Sequence, residues 1–145
     1  MDQKEYNRQL IEDFRAERGK PGGVLAPGSP FASRPLLLLT TTGAKSGQPH
    51  TAPMMYVRDG NRLLVIASNA GAPKHPGWYH NLVAHPGVTV EVGNETYKAT
   101  AIVTEGAERE RLWNSIIAQY PFFTEHQAKI ARQIPIVALE RSEDP

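Results

Sequence analysis

The turn Gly43-Ala44-Lys45-Ser46-Gly47-Gln48 carries the residues best suited to hold an anion. Its two glycines tolerate backbone angles that other residues avoid, and successive amides in such a turn can form an anion-binding nest. Lys45 adds a full positive charge and Ser46 a hydroxyl, so phosphate or carboxylate is the chemistry this turn would take. The same composition also fits an ordinary solvated hairpin tip. A nucleotide P-loop is excluded, because Lys45-Ser46 precede the second glycine and the chain returns as a strand. The five histidines, at 50, 75, 80, 85 and 126, raise the question of a metal. His75, His80 and His85 recur at a spacing of five, which on a helix turns each well over ~90° from the last. With no His-Glu-x-x-His and no cysteine, no metal site is expected. Nor is there a Gly-x-Ser-x-Gly elbow for nucleophilic catalysis.

The elements that would position these residues read clearly. An apolar run at Leu36–Thr42 and its return over His50–Arg58 form a hairpin around the turn. Asp59-Gly60-Asn61 turns the chain into a strand over Arg62–Ser68. Asn69–Gly77 is a loop of small residues, and Trp78–His85 a short helix stopped by Pro86. Gly87–Val92 and Glu95–Thr104 make a further hairpin. Ala107–Tyr120 and Thr124–Gln133 are expected helices, and Ile134–Glu140 closes the chain as a strand. At the other end, Tyr6, Leu10, Ile11 and Phe14 form one apolar stripe on a charged helix over Asp2–Arg18. That helix is expected to cap the barrel; a lid or a membrane-surface anchor are the other readings, and its polar face carries both signs of charge. Gly19–Ser33, with three prolines and four glycines, is a linker. The expected organisation is therefore 1–33 as helix and linker and 34–145 as the barrel, a single domain overall. Six strands joined by tight turns, with a few helices, point to a small closed or split antiparallel barrel.

Composition narrows the function. A chain of 145 residues is one domain and buries about two-thirds of its unfolded surface. Without cysteine, redox chemistry would have to come from a bound cofactor. Met1–Lys20 lacks the apolar region of a secretory signal, and no window approaches the ~18 apolar residues of a membrane span, so a cytoplasmic protein is expected. The net charge of +1 is too balanced for a nucleic-acid binder. Between Gly19 and Pro53, however, Lys20, Arg34 and Lys45 face no acidic residue, which suits a small anionic ligand.

Several strings together are more specific. Leu39-Thr40-Thr41-Thr42-Gly43-x-Lys45-Ser46-Gly47-Gln48-Pro49 resembles the signature of the deazaflavin-dependent nitroreductase family, enzymes that use coenzyme F-420. Ala67-Ser68-Asn69-Ala70-Gly71-Ala72, followed by Pro76, Trp78-Tyr79 and Asn81-Leu82, is similar to the family's second segment. His85-Pro86-Gly87-Val88 and Ile134-Pro135-Ile136-Val137 resemble two later ones, so the likeness runs from about Pro35 to Glu140. It implies a split β-barrel of the type that binds flavin mononucleotide, with about six antiparallel strands plus terminal helices.

The resemblance also implies a site. The hairpin tip, Thr42, Gly43, Lys45, Ser46, Gly47, Gln48, Pro49 and His50, would hold the cofactor's phosphate and acidic tail. Arginines common in the family are replaced here by Ala44 and His50, which removes fixed charge and bidentate contacts. A protonated His50 would restore part of it and make affinity pH-dependent; equal affinity in acid and alkali would argue against that. Ala67, Ser68, Asn69, Ala70, Gly71 and Ala72 would pass backbone amides beside the ring, where small side chains allow close approach. Trp78, Tyr79 and Asn81 follow on the short helix; the two aromatics fit the core equally well, whereas Asn81 beside them needs a bonding partner. For the hydride acceptor, Met55, Ser68, Tyr120, Phe123 and His126 would line an apolar pocket with one or two hydroxyl donors. Tyr120 or Ser68 would bond the oxygen that becomes negative as hydride arrives. Relatives often have tyrosine at the Met55, Phe123 and His126 positions, so nitro reduction is less expected than quinone reduction.

The resulting reading is an oxidoreductase that moves hydride from reduced coenzyme F-420 to a quinone-like, nitroaromatic or other conjugated acceptor. A quinone would imply peripheral access to the inner face of the membrane. Rivals are a barrel using flavin mononucleotide, a non-catalytic deazaflavin-binding protein, and an oligonucleotide-binding barrel, the last disfavoured by charge balance.

Overall fold

The computed structural model describes residues 3–17, 36–93 and 95–142. The linker expected over Gly19–Ser33 lies outside them, as does the side chain of Ala70. Helix α1 (Gln3–Glu17) precedes strands β1 (Leu36–Thr42), β2 (Pro49–Met55), β3 (Val57–Asp59) and β4 (Arg62–Ile66). A 3-10 turn at Asn69–Gly71 leads to α2 (Gly77–Ala84), then β5 (Gly87–Val92) and β6 (Glu95–Val103). Helices α3 (Gly106–Gln119) and α4 (Phe122–Ala128) come before the closing strand β7 (Ile136–Arg141).

All seven strands form one antiparallel sheet in the order β2-β1-β5-β6-β7-β4-β3. The expected second strand over His50–Arg58 divides at Tyr56, which is why seven strands appear where six are expected. Its two halves belong to opposite edges of the sheet, yet Met55 and Val57 are separated by one residue. The sheet must therefore curl until its edges meet at Tyr56, giving a barrel that is covalently joined at one corner and split elsewhere. Pro49 and Pro53 are tolerated in β2 because an edge strand has one unpaired side.

Side-chain alternation explains why the apolar runs are unbroken. Leu37 and Leu39 enter the barrel core with Met54, Val65, Val90 and Leu139, while Leu36 and Leu38 meet Leu10 and Phe14 of α1. Both faces of β1 are covered, so all four leucines are buried, each contributing about 1.5–3 kcal/mol. A third cluster packs Leu64, Ile66 and Ile136 against Leu112 and Ile116 of α3 and Phe123 of α4. Helix α4 is shorter than its expected Thr124–Gln133. The cause is Gln127, whose side chain folds back to donate to Arg132 O at 2.7 Å and accept from Ile134 N–H at 2.9 Å. That leaves 129–135 as a loop. No helix among the described residues is long and apolar enough to cross a membrane.

Candidate functional site

The hairpin tip is built largely by its own bonds. Gly43 N–H donates to Gln48 O at 2.8 Å and Gly47 N–H to Gly43 O at 2.9 Å. Gln48 N–H donates to Ser46 Oγ at 3.1 Å, and Ala44 N–H donates to Asn81 Oδ1 at 3.0 Å. Four of the turn's six amides are thus already paired inside the protein, so an anion there would draw on the Lys45 ammonium, the Ser46 hydroxyl and the amides of Lys45 and Ser46. Gly47 sits at φ +71°, a conformation that favours glycine. Ser46 Oγ lies 3.4 Å from His50 Nε2, linking the tip to β2. Asn81 has the partners its sequence context demanded: besides Ala44 it donates from Nδ2 to Thr41 Oγ1 at 3.1 Å. It fixes the hairpin to α2.

Beside the hairpin, in the split of the barrel, lies a cavity of about 1000 Å³. β2 contributes His50, Ala52, Pro53, Met54 and Met55, β4 with the following segment contributes Ile66, Ser68, Asn69, Lys74, His75 and Pro76, and Gly77 opens α2. Trp78 and Asn81 come from α2, Phe122, Phe123 and His126 from α4, and Tyr6 and Asn7 from α1. Among the described residues no carboxylate lines it, whereas Lys74 and three histidines do. Largely apolar walls bearing a lysine and no acid among the described residues fit an aromatic ring system carrying negative charge.

The structure brings His50, Met55, Ser68, Asn69, Trp78, Asn81, Phe123 and His126 of the expected residues to this cavity. Thr42, Gly43, Lys45, Ser46, Gly47, Gln48 and Pro49 lie outside its lining, on the adjoining tip. Ala67, Gly71, Ala72 and Tyr79 also stand behind the lining, and Tyr120 packs into the α3–α4 cluster, its ring 6.1 Å from that of Phe122. Met55 and Tyr56 face opposite sides of the sheet, in separate apolar clusters.

The segment 67–74 is tightly wound. Asn69 at φ +49° and Gly71 at φ +83° make the turn, and Asn69 Nδ2 closes it on Lys74 O at 3.0 Å. The amides of Ala67, Gly71 and Ala72 are bonded to Pro135 O, Ser68 O and Asn69 O, so those three cannot serve a ligand. The Ser68 hydroxyl is buried and lies 3.3 Å from His126 Nδ1. Burial, with Lys129 adding to it, pushes the His126 pKa below its ordinary value.

Sequence reasoning missed Arg132, Tyr6, Asn7, Lys74 and Phe122. Arg132 donates to the carbonyls of Ala67, Ser68, Ala72 and Lys74 at 3.1–3.2 Å. The available signal was the absence of any acid between Glu125 and Glu140, which leaves this arginine no local carboxylate. Tyr6 and Asn7 reach the cavity because α1 docks through Leu10 and Phe14 and through Arg15, whose guanidinium grips the Glu91 carboxylate at 2.9 and 3.1 Å.

Comparison with known proteins bears on the family and the fold. The family model described as F420H(2)-dependent quinone reductase matches residues 10–141. The F420H(2)-dependent quinone reductase of Mycobacterium tuberculosis strain H37Rv is 40% identical over 131 residues, covering 88% of this chain and 85% of that protein. A solved F420-H2 dependent reductase, FDR-A, superposes with a TM-score of 0.67 at 42% identity, covering 74% of this chain and 95% of its own. A second solved structure, described as a domain-swapped dimer, gives a TM-score of 0.70 at 38% identity, covering 92% and 96% of the two chains. The expected split β-barrel is the fold of these neighbours. Motifs, curled sheet and the match over residues 10–141 agree: the chain belongs to the F420H(2)-dependent quinone reductase family.

Proposed function

We propose that this protein reduces a quinone with reduced coenzyme F-420, and that the cavity between β2, the 67–77 segment and α4 is where the two meet. The observation that carries the placement is a cavity with largely apolar walls, the Lys74 ammonium and no carboxylate among the described lining residues. The coenzyme would supply the hydride; the chain supplies binding, orientation and exclusion of water. Lys45, Ser46 and His50 would hold the anionic tail beyond the cavity, and Lys74 would add charge at the lining. Trp78 and Asn81 would bound the ring from α2, with Asn69 and Ser68 opposite.

Met55, Phe122 and Phe123 would enclose a flat acceptor in apolar surroundings. Ser68 and His126 share one hydrogen bond; with His126 donating from Nδ1–H to Ser68 Oγ, the single hydroxyl hydrogen of Ser68 is left to donate to the acceptor. As hydride arrives, the carbonyl oxygen becomes negative, and a buried donor already in place stabilises it without reorganisation. Ser68 is therefore assigned to that oxygen, with His126 orienting it; Tyr120, in the adjoining cluster, would act from the outer side of Phe122.

The test is anaerobic oxidation of reduced coenzyme F-420 by menadione, followed by recovery of the coenzyme's visible absorbance. Turnover that depends on both protein and menadione is expected. Coenzyme binding with no transfer to any of a panel of quinones would overturn the reductase reading in favour of a carrier.

A further inference from the structure

His75 is held in a manner that determines its chemical form. Arg132 Nη1 lies 3.1 Å from His75 Nδ1, and a guanidinium can only donate. Nδ1 must then present its lone pair, which places the proton of a neutral imidazole on Nε2. Arg132 cannot turn away, because both of its terminal nitrogens are bound to the carbonyls of Ala67, Ser68, Ala72 and Lys74. None of the ion pairs among the described residues involves Arg132, so its charge is not neutralised locally.

The other groups facing His75 favour the same form. Tyr79 of α2 packs against it at a tilt of 34° with ring centroids 4.5 Å apart, and His80 approaches edge-on at 5.6 Å. Lys74 is its neighbour in the chain, and no acid faces it from α2 or from the loop that carries Arg132. Burial first, then the charges of Arg132 and His80, push its pKa below the ordinary 6.5. His75 is one of the residues that line the cavity, and no hydrogen bond among the described residues uses Nε2.

We propose that Arg132 is a positioning residue that locks His75 as a neutral imidazole, whose Nε2–H is a fixed, uncharged donor for a carbonyl oxygen of the flat ligand in the cavity. This inference rests on the placement of the hydride-transfer site argued above. A neutral donor suits a carbonyl because it keeps its proton as charge develops, whereas an imidazolium would select for anions. Two carbonyls are candidates, one on the coenzyme ring and one on the quinone, and affinity separates them.

Nitrogen-15 NMR of the histidine-labelled full chain, free of coenzyme, tests the lock independently of any activity. His75 should show a bare Nδ1 and a protonated Nε2, persisting below pH 6.5. Arg132→Gln should mix the tautomers and return the titration toward that ordinary value, while Arg132→Lys, which keeps charge and one donor, should restore part of the depression. For the donor role, His75→Phe should weaken either coenzyme affinity or the menadione KM by about tenfold, and His75→Gln, which keeps a neutral N–H, should rescue it. A protonated Nδ1 or an ordinary titration would overturn the lock. Unchanged affinity for both ligands in His75→Phe would overturn the donor role, and failure of hydride transfer alone would count only against the reductase reading.

Discussion

Single residues carry the sharpest expectations. Asn81 makes two bonds that join α2 to the hairpin, so Asn81→Leu should cost about 1–3 kcal/mol of stability, measured by denaturant unfolding, and weaken coenzyme binding as the tip loosens. Ser68→Ala should lower kcat roughly 10²-fold with coenzyme affinity little changed, because a donor to developing charge acts mainly in the transition state. A parallel loss of affinity would place Ser68 against the coenzyme instead. Legibility at this scale depended on neighbours in sequence. A polar Asn81 beside Trp78 and Tyr79 announced a bonding role, and Lys45-Ser46 announced an anion site. Arg132 announced nothing comparable, since its partners are backbone carbonyls some sixty residues away.

At the level of elements, two attachments decide whether the cavity keeps its shape. Gly71 has positive φ, and an added Cβ would meet Lys129 Cδ at 3.1 Å and His126 O at 3.3 Å. Gly71→Ala should therefore cost about 1–3 kcal/mol and disturb the contact between the 67–74 turn and α4, read by thermal unfolding and by menadione KM. Helix α1 is held by Leu10, Phe14 and the Arg15–Glu91 pair, and it delivers Tyr6 and Asn7 to the cavity. Arg15→Ala should speed proteolysis within α1 and raise KM for one of the ligands with a smaller effect on global stability, since Arg15 is half exposed. Most element boundaries were readable from periodicity and turn residues. The division of the second strand was not, because Tyr56 continues the alternation and only the closure of the sheet requires the break. The early end of α4 was equally hidden in the side chain of Gln127, which replaces further helical turns with two bonds of its own.

For the whole molecule, protonation links the site to stability. His75 and His126 both have folded pKa values below their ordinary 6.5, so the unfolded chain binds protons first on acidification. Stability is then full above about pH 6.5 and falls as pH drops from there through the lower folded values. The melting temperature should decline over that window, and His75→Gln should flatten part of the decline. A melting temperature that rises on acidification would contradict the sign. The curled sheet makes the rest of the account: one opening, between an edge strand and the 67–77 segment, gathers residues from β2, α2, α4 and α1. Titration with oxidised coenzyme F-420 tests that placement most directly, following tryptophan fluorescence with flavin mononucleotide in parallel. Trp78 lines the cavity while Trp113 packs under Arg109 on α3. Saturable quenching by the deazaflavin, stronger than by the flavin and abolished in Trp78→Phe, is the predicted result. Preference for the flavin, or quenching that survives in Trp78→Phe, would contradict it.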